Sequence, residues 1–444
     1  VAEASAAPPL RPLTHRRILA ISVPIVLSNA AIPLLGAVDT GVVGQLGTPQ
    51  PIGGVGLGAT ILGMLYFIFN FLRMGTTGLV AQSHGAGREV ESGRHLARAL
   101  AIGIGIGLAL ILLHRPLFGL ALGIAPGSPA VEGLAREYLE IRIWGAPAMI
   151  GLFAINGWLI GVERTGAVLA LQLVLTAVNI VLDLWFVLGI GWGVPGVAAA
   201  TLVAEYSGFA VGLWLARRPL AAALRTTGLF ERPAMTRLLR VNADLMVRSL
   251  LLQLTFSSFT FLGAGQGDVV LAANQVLMQF LMLTAYALDG FCFSAETLVG
   301  QSIGARRPAR VRQAALMTSL WAVGGAVLLG VFYITAGAAL IDLLAVSPTV
   351  RQAAREYLVW AALAPVLGVA SWVFDGIFTG ATLTREMRLS MTASVMVYVP
   401  ALAVLPQTWG NHGLWAALMV MFVARGVTMA LYYPRVERAA GAFA

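Results

Sequence analysis

LVAQSHGAGR, residues 79–88, returns as LVGQSIGARR at 298–307, 219 positions later. AREYL at 135–139 returns at 354–358 with the same displacement. One five-residue identity could be accident, but two matches at one offset indicate an internal duplication, with each half built to one design. Composition says what that design is made of. Of the 444 residues, 58% are hydrophobic and 11% charged, whereas soluble domains carry roughly 25% charged residues. A soluble chain this apolar could not cover its own surface. Apolar runs recur at the length of about 20 residues that spans a hydrocarbon core of ~30 Å. The fold class is therefore all-α, a polytopic membrane protein.

Hydropathy read with Gly, Pro and Arg punctuation gives twelve spans. The first six are near 18–44, 51–80, 96–114, 134–160, 166–190 and 194–216. The second six are near 240–263, 270–299, 313–345, 355–380, 387–406 and 412–434, and the splits at 190 and 406 rest on short turns. Six spans per half is an even number, so both halves start on the same side. That makes two parallel six-helix bundles related by a pseudo-two-fold axis along the membrane normal. The expected organisation is a flexible N-terminus (1–13), a first lobe (14–216), a solvated basic linker (217–239), a second lobe (240–436) and a tail (437–444). Twenty-one of the 29 arginines fall in segments placed on one side, against four on the other. The positive-inside rule puts that side, and both termini, in the cytoplasm.

Several function classes drop out. The net charge of +9 is carried by arginine alone and lies mostly in loops between spans, which fits membrane orientation and not nucleic-acid binding. Cys292 stands alone, so no internal disulfide forms, and His15, His84, His95, His114 and His412 lack the spacing of a zinc site. GVGLGA and GAGQGD do not follow strands, and no GxxxxGK[ST] loop is present, so ATP is not the energy source. The fifty glycines read as close helix packing in lipid. VAEASAAPPLRPLTHRR (1–17) looks superficially like a signal peptide, but the apolar run after it reaches about Val43 and contains Asp39, which suits a retained first span.

The informative residues are the acids inside the spans. A carboxylate at the centre of a membrane helix costs at least ~2.5–3.5 kcal/mol, so its presence needs a reason. VNIVLDLWFV (178–187) places Asn179 and Asp183 one turn apart on one face of span 5. Asp39 in span 1, Asp183, and Thr201 in span 6 are expected ~9–11 Å below one membrane boundary, with Asn179 a turn deeper. The repeat sharpens this, because positions 39 and 183 map onto Ser258 and Leu402. The second half keeps the scaffold without those acids. Asp375 in span 10 maps onto Asn156 in span 4, and both are candidates to line a substrate cleft. Asp289 and Glu296 lie seven apart on one face of span 8, and Glu205 lies deep in span 6. These acids can meet a cationic substrate or pair with Arg73, Arg248 or Arg425. Pro24 and Pro33 remove backbone donors from span 1, and Pro24 is the candidate bending point near Asp39.

The wording of PIVLSNAAIPLLGAVDTGVVGQLG (24–47), FLRMGTTGLVAQ (71–82), YALDGFCFSAETLVGQSIGAR (286–306) and FDGIFTGATLTREMR (374–388) resembles the MATE family of multidrug exporters, in its DinF-like branch. The resemblance covers nearly the whole chain. It implies a cation or proton-coupling site at Asp39, Asn179, Asp183 and Thr201, the positions matching the family's. Some relatives carry Tyr one turn before the first-span Asp, where this chain has Leu35, so its hydrogen-bond network must differ.

The resemblance implies a secondary active exporter rather than an enzyme. It would extrude amphipathic, often cationic, compounds by alternating access in exchange for H⁺. Na⁺ held at the same four residues is the alternative, and no cofactor beyond the coupling ion is expected. Two neighbouring carboxylates resist carrying two negative charges at once, so the pair is expected to hold a proton or a neutralising cation. A lipid-linked sugar flippase would be expected to line its cavity with several Arg, an intramembrane prenyl transferase would need a DDxxD-like cluster, and a channel is separable only by uphill flux. Expected partners are small-molecule substrates and the lipid bilayer, not nucleic acid. The expected setting is the bacterial inner membrane, with a monomer as the working unit.

Overall fold

The computed structural model describes residues 11–46, 49–124 and 128–441. Residues 1–10 of the expected flexible N-terminus and 442–444 of the expected tail lie outside the described residues. Helices long and apolar enough to cross a membrane are α1 His15–Gly44, α2 Pro49–Gly85, α3 Glu89–Ile124, α4 Pro129–Gly161, α5 Thr165–Gly189 and α6 Gly193–Leu224. They continue with α7 Arg232–Ala264, α8 Asp268–Gly304, α9 Pro308–Leu344, α10 Pro348–Gly380 and the long Thr384–Gly441. The last leaves the helical path at Gly410 (φ 56°, ψ −132°) and is two spans, α11 before that residue and α12 after it. The described residues thus hold the twelve expected spans.

The duplication is visible in backbone conformation. α2 and α8 differ by 219 at both ends, as do α4 and α10, and AREYL begins at the seventh residue of both α4 and α10. Three pairs of left-handed residues keep the same offset: Gly87 and Arg306 (φ 72° and 55°), Glu163 and Thr382 (60° and 54°), Gly191 and Gly410 (79° and 56°). A positive φ is unfavourable for any residue with a Cβ, so Arg306, Glu163 and Thr382 adopt it because the chain must turn there.

Some boundaries differ from the hydropathy reading. The second span is broken at Phe69–Asn70, and α11 runs through Pro406 to the turn at Gly410. The segment expected as a solvated connector is shorter. α6 continues to Leu224 and α7 starts at Arg232, leaving 225–231 between them. That piece is tied to α3: Arg94 donates to Thr226 Oγ1 (2.9 Å) and the Thr227 carbonyl (3.0 Å), and Arg98 donates to the Leu229 carbonyl (2.6 Å) and Glu91 (2.9 Å). Arginine-rich sequence reads as solvated, yet Arg98 is almost fully buried, with its Nε and NH1 held by the Leu229 carbonyl and the Glu91 carboxylate.

The chain packs as two compact units. One comprises the chain through Val26, Ala81–Gly87 and Leu239 onward; the other comprises Leu27–Val80 and Arg88–Leu238. In the first, Phe259, Tyr333, Trp415 and Phe422 fill the core, with Phe259 edge-on to Trp415 at 4.9 Å. Asn274 and Asn411 exchange hydrogen bonds of 2.8 and 2.9 Å, and Trp415 Nε1 donates to Asn274 at 2.9 Å, so the buried amides are satisfied. The start of α1 lies on α8, with Ser22 Oγ 2.7 Å from Ser294 Oγ. The end of α2 crosses α8 so closely that a Cβ on Gly85 would meet the Gln301 backbone, and one on Gly304 would meet the Gln82 backbone. Residues 82 and 301 are repeat partners, as are 85 and 304. The duplicated motif therefore packs against its own copy, and glycine is required on both sides.

Candidate cation site

The site lies in the unit formed by Leu27–Val80 and Arg88–Leu238. α5 presents Asn179 and Asp183, both fully buried, on one face. Directly after Asp183 the helix widens over Leu184–Gly189, and Ile190 N–H reaches back five residues to the Trp185 carbonyl at 2.9 Å. Such wide turns change the direction of the side chains beside them. α6 packs there through Gly196, whose missing Cβ leaves room for Val187 and the Phe186 backbone. One turn on, Thr201 donates its hydroxyl to the Val197 carbonyl (2.9 Å) and accepts from Asn179 Nδ2 (3.1 Å). From α1, Asp39 lies within side-chain hydrogen-bonding reach of Asp183 and Asn179. The structure brings together all four residues predicted for the site.

Its hydrogen-bond accounting does not close. Asp39 Oδ1, Asp183 Oδ1 and Oδ2, and Asn179 Oδ1 are buried without a donor among the described residues. Thr201 has given its one hydrogen to Val197, and Asn179 has given one of its two amide hydrogens to Thr201. Two ionised carboxylates have no hydrogen to share, so they can meet but not bond. Buried polar atoms are nearly always satisfied, and a cluster of four that are not marks a place completed by something else. Chemically, a proton between two carboxyls or a cation among the oxygens is what such a set of acceptors can hold.

Beside this cluster stands an ion pair that the sequence reading did not find. Arg142 of α4 donates NH1 to Glu205 Oε2 (2.8 Å) and NH2 to Oε1 (2.7 Å), with both side chains buried. Glu205 was expected to meet substrate or Arg73, Arg248 or Arg425; its partner is Arg142. α4 tightens into a narrow turn at Ile143–Gly145, and a Cβ on Gly145 would fall on Glu205 Oε2, so glycine leaves space for the carboxylate. The Tyr138 ring lies 6.0 Å from the guanidinium and occupies the notch at Gly58 of α2. Tyr66 of α2 completes the surroundings of Arg142. A signal was present in the sequence: Arg142 maps onto Ala361 and Glu205 onto Ala424, so both belong to the first half alone, like the acids.

The remaining candidates lie elsewhere. Asp375 of α10 is buried and bound through Oδ2 by both Arg248 and Arg425. It is a paired charge in its own unit. Glu296 is fully buried in α8, while Asp289 is half-buried beside Tyr286. Asn156 of α4 is half-buried with its Oδ1 lacking a donor among the described residues. Pro24 is accommodated within a continuous α1, two residues before the boundary at Val26 where that helix passes from one unit to the other.

A twelve-span helical membrane protein with an internal repeat and unmet buried carboxyls is the type of molecule these features define. The family model described as MatE matches residues 24–185 and again 245–405, once in each half. The chain is 41% identical to DNA damage-inducible protein F of Escherichia coli (strain K12), over 94% of this chain and 91% of the relative. It is 26% identical to a probable multidrug resistance protein NorM of Synechococcus sp., over 90% and 89%. Among solved structures it resembles the Vibrio cholerae MATE transporter VcmN in the bent form, with TM-score 0.86 and 21% identity over 97% of this chain and 98% of that one. The chain belongs to the MATE family. It is a multi-pass membrane transporter with the family's twelve-helix, two-lobe fold.

Proposed function

We propose that this protein is a secondary active exporter that moves amphipathic, often cationic, organic compounds outward in exchange for inward protons. The observation that carries the reading is the set of four buried acceptor oxygens on Asp39, Asp183 and Asn179 that lack donors among the described residues. A site that needs positive charge in one state and can release it in another is what antiport requires. Loading or emptying it alters the charge next to α1, whose Pro24 and Pro33 lack the N–H that would brace the helix. That couples the ion to the path open to substrate. The name of the NorM relative supports drugs as the substrate class.

Na⁺ is the second reading, and Asn179 Oδ1 favours it. A proton shared between the carboxyls engages two of these oxygens, whereas a sodium ion coordinated by Asp39, Asp183, Asn179 and the remaining lone pair of Thr201 would engage all of them together. The distribution of arginine supports an inner-membrane setting with both termini and segments 85–98, 217–240 and 304–312 in the cytoplasm. The working unit is a single chain. The test is ethidium efflux from proteoliposomes under separately imposed pH and Na⁺ gradients. An inward proton gradient is expected to drive it without Na⁺. Efflux driven only by Na⁺ selects the second reading, and efflux indifferent to both overturns antiport.

A further inference from the structure

Three carboxyl groups in the site, Asp39, Asp183 and Glu205, share the neighbourhood of one guanidinium among the described residues, that of Arg142. An arginine is charged under all ordinary conditions, so the protein carries a permanent cation whose field acts on the acid pair. Asp183 nonetheless receives no hydrogen bond from it. Both terminal nitrogens of Arg142 are committed to Glu205 in a fork-to-fork pair, and Nε is buried without a partner among the described residues. We infer that Glu205 is a positioning residue that holds Arg142 off the Asp39–Asp183 pair, so that the pair must take its positive charge from outside the protein.

The surroundings fit that role. Gly145 is cut back to admit the Glu205 carboxylate, the narrow turn at 143–145 sets Arg142 toward α6, and the Tyr138 ring backs the guanidinium. The charged and titratable groups acting on Arg142 are Asp39 from α1, Tyr66 from α2, Tyr138 from α4, Asp183 from α5 and Glu205 from α6, with Tyr206 beside Glu205. Of these, the three carboxyls compete for it, and bidentate geometry decides the competition for Glu205. Neutralise Glu205, and the guanidinium becomes a buried charge without its bidentate partner, left in the field of Asp39 and Asp183. A carboxyl pair satisfied by its own arginine has no use for a coupling ion.

This rests on the antiport reading above, and the experiment separates the two. Ethidium efflux is measured in proteoliposomes across a series of imposed pH and Na⁺ gradients. The proteins compared are wild type, Glu205→Gln, Glu205→Asp and Arg142→Gln/Glu205→Gln, each first shown to be monodisperse. Glu205→Gln is expected to lose gradient-driven efflux by about tenfold or more and to show a flat pH profile. Glu205→Asp, which keeps the counter-charge, is expected to retain both. The double variant, which removes the released arginine as well, is expected to regain gradient dependence. Rescue by removing a second charged group is not what a merely structural ion pair gives. A Glu205→Gln protein with wild-type gradient dependence overturns the inference while leaving antiport standing, and so does a double variant as inactive as the single one. Wild-type efflux indifferent to both gradients overturns the antiport reading and this inference together.

Discussion

Asp39 and Asn179 in the first half have Ser258 and Tyr398 as their repeat partners, while Asp183 and Thr201 have Leu402 and Val420. In the second half the accounting closes. Ser258 Oγ lies 3.0 Å from Tyr398 Oη, and both hydroxyls reach the Thr255 carbonyl, at 2.8 and 3.3 Å. Leu402 packs against the apolar core. The same helical positions are thus neutral and satisfied in one repeat, ionisable and unmet in the other. The scaffold does not need the charges, since its second copy stands without them. A reciprocal difference supports this: Asp375, Arg248 and Arg425 form a buried ion cluster where the first half has Asn156, Asn29 and Tyr206. In the second half both arginines meet Asp375 through Oδ2 and one acceptor, Oδ1, lacks a donor among the described residues, whereas in the first half four acceptors on Asp39, Asp183 and Asn179 do.

The comparison can be broken most directly at Asp183. Asp183→Asn keeps volume and removes the charge, so it is expected to abolish gradient-driven efflux while the protein purifies as a folded monomer. Retained coupling would show that the unmet oxygens are incidental. Asp375→Asn should do the opposite. It leaves two buried guanidinium groups without their counter-charge, which costs about 3–5 kcal/mol when a buried pair loses one partner. Thermal unfolding is expected to show a large fall in Tm, with gradient dependence preserved in the protein that survives. An unchanged Tm would mean that the cluster is not structural. Ser258→Ala sharpens the contrast at the small end. Losing one hydroxyl from a neutral network costs about 1 kcal/mol, visible as a modest Tm shift, and coupling should not change.

Much of this was legible in the chain because the signals are periodic. A 219-residue offset and runs of apolar residues are enough for twelve spans and two repeats, and the cost of a membrane carboxylate singles out Asp39 and Asp183. The ends of the helices were less legible. The hydropathy spans end short of α3, α6 and α7, which continue through arginines such as Arg94, whose guanidinium finds Thr226 Oγ1 and the Thr227 carbonyl. Partners of buried charges were the least legible part. Glu205 could have met any of several arginines by sequence, and only the bend at 143–145 and the gap at Gly145 decide for Arg142. The same holds for Asp375, where a candidate cleft residue turns out to be enclosed by two arginines from α7 and α12.

The central claim is that the first repeat alone carries the coupling ion. Its most direct test measures ethidium efflux together with proton or Na⁺ counterflow in proteoliposomes of Asp39→Asn and Ser258→Ala, the same substitution site in the two repeats, at matched protein content. Ser258→Ala is predicted to show both fluxes, linked as in wild type, and Asp39→Asn to show neither under an imposed gradient. Normal linked fluxes in Asp39→Asn would contradict the account and move the ion to Asp289, Glu296 or Asp375.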